Sequence, residues 1–182
     1  MQEREHTSKQ YEQQLRSLKE KLLLIGYKAE TSIADATRAL VERRPSLAQR
    51  VVDEDDEVDR LELEIDDICF EILAREQPVA SDLRFITTAM KIVGDIERIG
   101  DNGVNIARGA LEIMHEPELK PIIDIPVAAA AAQRILKESL DAFVTSEFQS
   151  CNYPPRVHAK IMDRLFGCIR TGLFQGSGKS LP

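Results

Sequence analysis

Proline placement constrains this chain more than any other feature. Residues 1–116 contain only Pro45 and Pro78. Proline costs about 3 kcal/mol inside a helix, so it marks helix boundaries. Three long proline-free blocks result, roughly 5–43, 46–76 and 79–115. The first carries Leu15, Leu18, Leu22, Ile25, Ala29, Ile33, Ala36 and Leu40, at spacings of three and four that define one buried helical stripe. The second carries Val51, Val58, Leu61, Ile65, Ile68 and Ile72, and the third Ile86, Met90, Val93, Gly100, Val104, Ala107 and Leu111. Arg44-Pro45 and Gln77-Pro78 are short connections, which make consecutive helices antiparallel neighbours. The expectation is an all-α fold: an up-down-up three-helix bundle over residues 1–116. Ser81 followed by Arg84 forms no capping box, so the sequence does not fix where the third helix starts.

Pro117, Pro121 and Pro126 mark a connector. A fourth helical block follows over 126–149, with Leu136, Leu140 and Phe143 on its stripe. It reads as a second copy of the first helix, because Ala29, Ile33, Ala39 and Leu40 fall in register on Ala132, Leu136, Ala142 and Phe143. Residues 117–149 are therefore expected to be a connector and the first helix of an incomplete second bundle. Residues 150–182 change character. Arg156, Lys160, Arg164, Arg170 and Lys179 face Asp163 alone. Val157, Ile161, Leu165 and Ile169 make a short amphipathic series, and a glycine-containing tail follows from Gly172. The stripe of 126–149 needs a cover, on the first bundle or on a second chain, so a homo-oligomer is expected.

Composition removes several function classes. Aromatics are 5% with no Trp, which disfavours an all-β fold. A net charge of −7 argues against nucleic-acid binding, where a basic surface supplies most of the affinity. The three cysteines, Cys69, Cys151 and Cys168, are too scattered for a disulfide scaffold or a zinc finger. No stretch reaches the roughly 18 apolar residues of a spanning helix, so no membrane insertion is expected, and the N-terminal ten residues have no apolar core of a signal peptide. The expected compartment is the cytoplasm.

The chemistry-bearing residues are acidic. Asp55 and Asp59 are four apart on the second block, and Glu97 and Asp101 repeat that spacing on the third. Each pair falls at the margin of its apolar stripe. The pairs lie about equally far on either side of the Pro78 turn, so a hairpin brings them to one height. Four carboxylates at one level repel unless a cation joins them, and hard oxygen donors suit magnesium, calcium, manganese or iron, with zinc less favoured in the absence of His or Cys. The competing reading is a set of solvated surface charges. Gly94, Gly100 and Gly103 each cost the third helix about 1 kcal/mol relative to Ala, and suit a close approach by another backbone or an ion. Glu112-x-x-His115 is a single motif where a carboxylate di-iron bundle needs two, and Gly176–Ser180 lacks the rest of a phosphate-binding loop. Cys69 lies on a stripe and reads as core. No catalytic constellation stands out, and the chain reads as a non-enzyme.

Several motifs together resemble the PhoU family of phosphate-signalling regulators. They are Leu47-Ala48 through Asp55-Asp56-Glu57-Val58-Asp59, Gln77-Pro78-Val79-Ala80-Ser81-Asp82-Leu83-Arg84, Lys91-Ile92-Val93 and Glu97-Arg98-Ile99-Gly100-Asp101-Asn102. The resemblance covers residues 10–115, more weakly 126–149, and is not visible over 150–182. It implies two similar three-helix bundles, each with paired acidic motifs that bind metal clusters. Carried over by position, those motifs are Asp55, Asp59, Glu97 and Asp101, with iron, zinc, magnesium or manganese as the ions. In the register of the internal repeat, Asp55 and Asp59 fall on His158 and Met162, so the second site is missing here. The resemblance also implies a regulator of phosphate uptake. It would restrain a sensor histidine kinase and the ATPase of a phosphate ABC transporter at the inner face of the cytoplasmic membrane. The alternative is a helical structural adaptor with no metal site.

Overall fold

A computed structural model describes residues 2–115 and 124–145, with side chains from residue 9 in the first segment and from residue 125 in the second. Five helices follow in order: α1 (Gln2–Val41), α2 (Pro45–Asp53), α3 (Asp55–Glu76), α4 (Ala80–Ile113) and α5 (Asp124–Val144). Among the described residues there is no strand. The all-α bundle expected from the stripes is therefore present. The amphipathic series and tail expected in 150–182 lie outside the described residues.

The stripe residues are the core. Leu18, Leu22, Ile25, Ala29 and Ile33 of α1 join Val58, Leu61, Ile65 and Ile72 of α3 and Ile86, Val93 and Ile99 of α4 in one cluster. Each large aliphatic side chain so buried contributes about 1.5–3 kcal/mol, which outweighs helix propensity. Cys69 is fully buried there, and burial pushes its thiol up to about 12. A second cluster sits at the other end of the bundle. It joins Ala36 and Leu40 of α1, Leu47, Ala48 and Val51 of α2, and Val104, Ala107 and Ala110 of α4. The α1 helix runs through both clusters and packs against every other described helix.

One expectation is corrected. The 46–76 block is not a single helix: it breaks at Glu54, which closes α2 and opens α3 with φ −86 and ψ −1. No proline or glycine stands at the break. Asp55, Asp56 and Glu57 occupy the first turn of α3, where carboxylates favour the positive end of a helix dipole. That makes a fresh N-terminus cheap inside this acidic run. The break lets α2 lie on the upper ends of α1 and α4, with Pro45 in its first turn.

The α3–α4 connection is tight. Gln77 ends α3 with φ 48, Pro78 follows, and Ala80 starts α4, also with φ 48. Left-handed backbone costs a non-glycine residue roughly 1–2 kcal/mol, a cost covered here by the packing it directs. α4 begins behind Val79 with no side-chain cap, matching the lack of a capping box. Tyr11 donates from its hydroxyl to Asp82 at 2.8 Å and ties α1 to this end.

The stripe of α5 is covered within the chain. Ala129, Leu136, Leu140 and Phe143 belong to the same cluster as α1, α3 and α4. Phe143 stacks on Phe85 of α4 with ring centroids 4.8 Å apart. A Cβ added to Gly26 of α1 would lie 2.0 Å from Leu140 Cδ1, so the Leu140 side chain sits directly on this glycine. The uncovered stripe that pointed to an oligomer is thus buried on α1, and it gives no reason for one.

Candidate functional site

α3 and α4 run antiparallel from the Gln77–Val79 loop, and this hairpin brings the expected acids to one face. Val58 packs on Gly100, where an added Cβ would meet Val58 Cγ1 at 3.3 Å. That contact sets the spacing of the helices beside Asp59 and Asp101. One level away, Glu62 Oε1 lies 3.4 Å from the position of a Cβ on Gly94. On the α1 side, Ser32 donates to the Gly100 carbonyl at 3.2 Å. A Cβ on Gly103 would lie 2.8 Å from the Ser32 carbonyl carbon and 2.9 Å from the Ile33 nitrogen. Two of the three costly glycines are thus explained by close approach, one to a backbone and one to a valine.

The structure places Asp59 and Asp101 within electrostatic reach of both Asp55 and Glu97, and adds Glu62. Glu97 is pushed up to about 7, first by burial, then by the charges of Asp101, Glu62 and Asp59, against the opposing pull of Arg98. Asp55 is raised by burial, then by Asp101 and Asp59, against Arg108. Glu62 is raised by burial, then by Asp66, Asp59 and Asp101, against Arg98. Asp55, Glu62, Glu97 and Asp101 are half-buried and Asp59 is exposed. Glu62 was missed from sequence, although it stands three residues after Asp59 and continues the same row.

Cations of the chain neutralise this face only in part. Arg108 approaches Asp55 at 3.9 Å and Arg98 approaches Asp95 at 3.6 Å, both as exposed side chains. Such pairs are worth little in water. At the helix break the acidic face borders a cavity of about 170 Å³, lined by Tyr27, Lys28, Glu54, Asp55 and Gly100 among others. Lys28, one of the lining residues, donates to Glu57 of α3.

The donor set fits a hard cation. It is all carboxylate oxygen, poorly neutralised and held on two rigid helices. Burial first, and neighbouring carboxylates second, raise Asp55, Glu62 and Glu97 against the partial pull of Arg98 and Arg108. No three His, Cys, Asp or Glu side chains already close on one point among the described residues, so an ion would have to draw the carboxylates together. Glu112 in the last turn of α4 and His115 just beyond the helix are both exposed.

Comparison with known proteins agrees with the fold and the motifs. The PhoU domain model matches residues 22–110. A "Phosphate-specific transport system accessory protein PhoU homolog" of Pseudomonas aeruginosa is 38% identical over 139 residues, 76% of this chain and 57% of the relative. The "Phosphate-specific transport system accessory protein PhoU" of Escherichia coli K12 is 30% identical over 165 residues, 91% of this chain and 68% of that protein. This chain spans about half to two thirds the length of the curated relatives it matches. A match of 165 residues in a chain of 182 reaches into 150–182, so the likeness extends past the motifs that first carried it, correcting the expectation that it stops before residue 150. The crystal structure of PhoU from Pseudomonas aeruginosa superposes with a TM-score of 0.70 at 33% identity, covering 88% of this chain and 72% of the other. By sequence and fold together, the chain belongs to the PhoU family.

Proposed function

We propose that this chain regulates phosphate uptake and phosphate-responsive two-component signalling as a metal-binding docking protein, without enzymatic turnover. The observation that carries the proposal is the acidic face of α3 and α4 in a member of this family. Its relatives are named accessory proteins of a phosphate-specific transport system. In this reading the chain works at the inner face of the cytoplasmic membrane and restrains a sensor histidine kinase and the ATPase of a phosphate ABC transporter. None of the described helices is long and apolar enough to cross a membrane, so membrane association would come through such partners.

Asp55, Asp59, Glu97 and Asp101 would hold the ion, with Glu62 beside them. Iron, zinc, magnesium or manganese would each supply positive charge that pins α3 to α4 and can bridge to a partner's carboxylate or phosphate oxygens. The chain's own residues do the rest. Gly100 and Val58 fix the helix spacing, and the raised proton affinity of Glu97 makes metal loading release a proton near neutral pH. The double variant Asp59→Ala with Asp101→Ala tests the site by elemental analysis of purified protein. Loss of bound metal is expected, and full retention would refute the assignment. For the regulatory role, the chain is produced in a bacterium lacking its own family member and carrying a phosphate-starvation reporter. Repression in phosphate-rich medium is expected. A folded, abundant chain that leaves the reporter on would sink it.

A second reading has an observation in its favour. Arg108 on Asp55 and the lack of a closed cage fit a helical adaptor whose acids stay solvated. A chelator melt separates the two. A pinned bundle loses stability on chelation, whereas an adaptor does not.

A further inference from the structure

One arginine already stands on a residue of the acidic face. Arg108 lies two turns beyond Asp101 on α4 and brings Nη2 to 3.9 Å from Asp55 Oδ2. The Asp55 side chain is 22% exposed and that of Arg108 57%. At this distance the contact is an ion pair without a hydrogen bond. A second carboxylate on the same cavity shows a firm hold. Asp35 takes Arg38 on one oxygen at 2.7 Å and Arg50 on the other at 2.9 Å. Asp35 is therefore committed to its arginines, whereas Asp55 keeps its oxygens open to another cation.

Arg108 also has a second place to rest. Glu112 stands one turn further along α4, is exposed, and makes no ion pair or hydrogen bond among the described residues. Residues four apart on a helix are neighbours. Gly109, beside Arg108, has open space around it, with nothing within 4 Å of an added Cβ. Arg98, the other arginine near these acids, already rests in this way. It contacts Asp95, three residues back on its own helix, at 3.6 Å.

We propose that Arg108 is a tethered counter-ion of the metal site: it occupies Asp55 until a metal binds, and then swings along α4 to Glu112. The inference rests on the metal reading given above. It also accounts for the contact that favours the adaptor reading, because the same arginine partly neutralises Asp55 when no metal does. Coulomb attraction makes the exchange one-sided. At equal distance from Asp55 a divalent ion gains twice what the guanidinium gains, and a monovalent ion gains no more. The arginine thus sets a charge threshold for entry.

The test titrates the purified full chain by calorimetry with each of manganese, zinc, magnesium and iron(II). Whichever ion the parent takes, Arg108→Gln is expected to bind it about fivefold more tightly, the scale of an exposed ion pair. Arg108→Lys keeps the charge and should stay within about twofold of the parent, since the contact is not a bidentate one. Glu112→Gln removes the resting place and should weaken binding by about twofold in the parent. In the Arg108→Gln background it should change nothing. That double-mutant cycle separates a swinging arginine from a general field effect. Circular dichroism at 222 nm checks that these exposed substitutions leave the helices intact. Equal or weaker binding by Arg108→Gln, a lysine variant as tight as the glutamine one, or a Glu112→Gln effect that persists without the arginine would each overturn the proposal. In those cases a parent that still binds metal leaves the metal reading standing. A parent that takes up none of the four ions fails both.

Discussion

Removing the charge of Glu97 should stabilise the metal-free protein above neutral pH. Glu97 is a half-buried carboxyl whose pKa is pushed up from the usual 4.5 to about 7 by burial and by Asp101, Glu62 and Asp59. A raised carboxyl pKa means that the folded chain binds the proton more tightly than the unfolded one. Its contribution is full below the unfolded pKa and is lost as pH rises through about 7. One pKa unit corresponds to about 1.4 kcal/mol, so the unscreened ceiling is roughly 3 kcal/mol. Water reaches this face, and screening reduces the expected effect to about 1 kcal/mol. Glu97→Gln keeps the shape and removes the ionisation. In chelator at pH 8, its melting temperature should rise by about 2–4 °C, as expected for a chain of this size. At pH 4.5 the two proteins should melt together. The assay is circular dichroism at 222 nm across that pH range. A variant less stable than the parent at pH 8 without metal, or an unchanged pH profile, would refute the electrostatic account.

Two further perturbations test the packing. Gly103→Ala should destabilise by about 2 kcal/mol despite better helix propensity, because its Cβ would press on the Ser32 backbone, whereas Gly109→Ala, with nothing within 4 Å, should gain up to about 1 kcal/mol. Urea unfolding of the pair reads the contrast, and a stabilised Gly103→Ala would mean that α1 and α4 are further apart. Phe143→Ala should cost about 3 kcal/mol in one cooperative transition, since its ring is 5% exposed and stacked on Phe85. A separate early melting step for α5 in that experiment would show that it does not share the core of the first four helices.

The stripes were legible because burial is periodic. Leu18, Leu22, Ile25, Ile33, Ile65, Ile72 and Ile86 were all named from spacing and are almost wholly buried. The matched height of Asp55/Asp59 and Glu97/Asp101 was legible too, because a short hairpin pairs residues equidistant from its turn. The break at Glu54 was not foreseen, since the apolar spacing passes through it without proline or glycine. Its only local sign is the run from Asp53 to Glu57, which suits a helix N-terminus as well as a helix interior. Glu62 escaped because attention to pairs four apart hides a row that continues at three. The cover of α5 could not be read at all. An apolar stripe states that a partner exists, not which surface it is.

The central position of α1 has a consequence during synthesis. It leaves the ribosome before the helices that cover it, with Leu18, Leu22 and Ile25 facing water. These side chains share one core with α3, α4 and α5, and even the last of α4 is as far along the chain as Ile113. At about 5–20 residues per second, α1 waits several seconds before it is sheltered. Through that interval a greasy rod is open to aggregation or to capture by a chaperone. Changes that slow translation between Ala80 and Ile113 should therefore reduce the yield of native protein more than equal delays after α5.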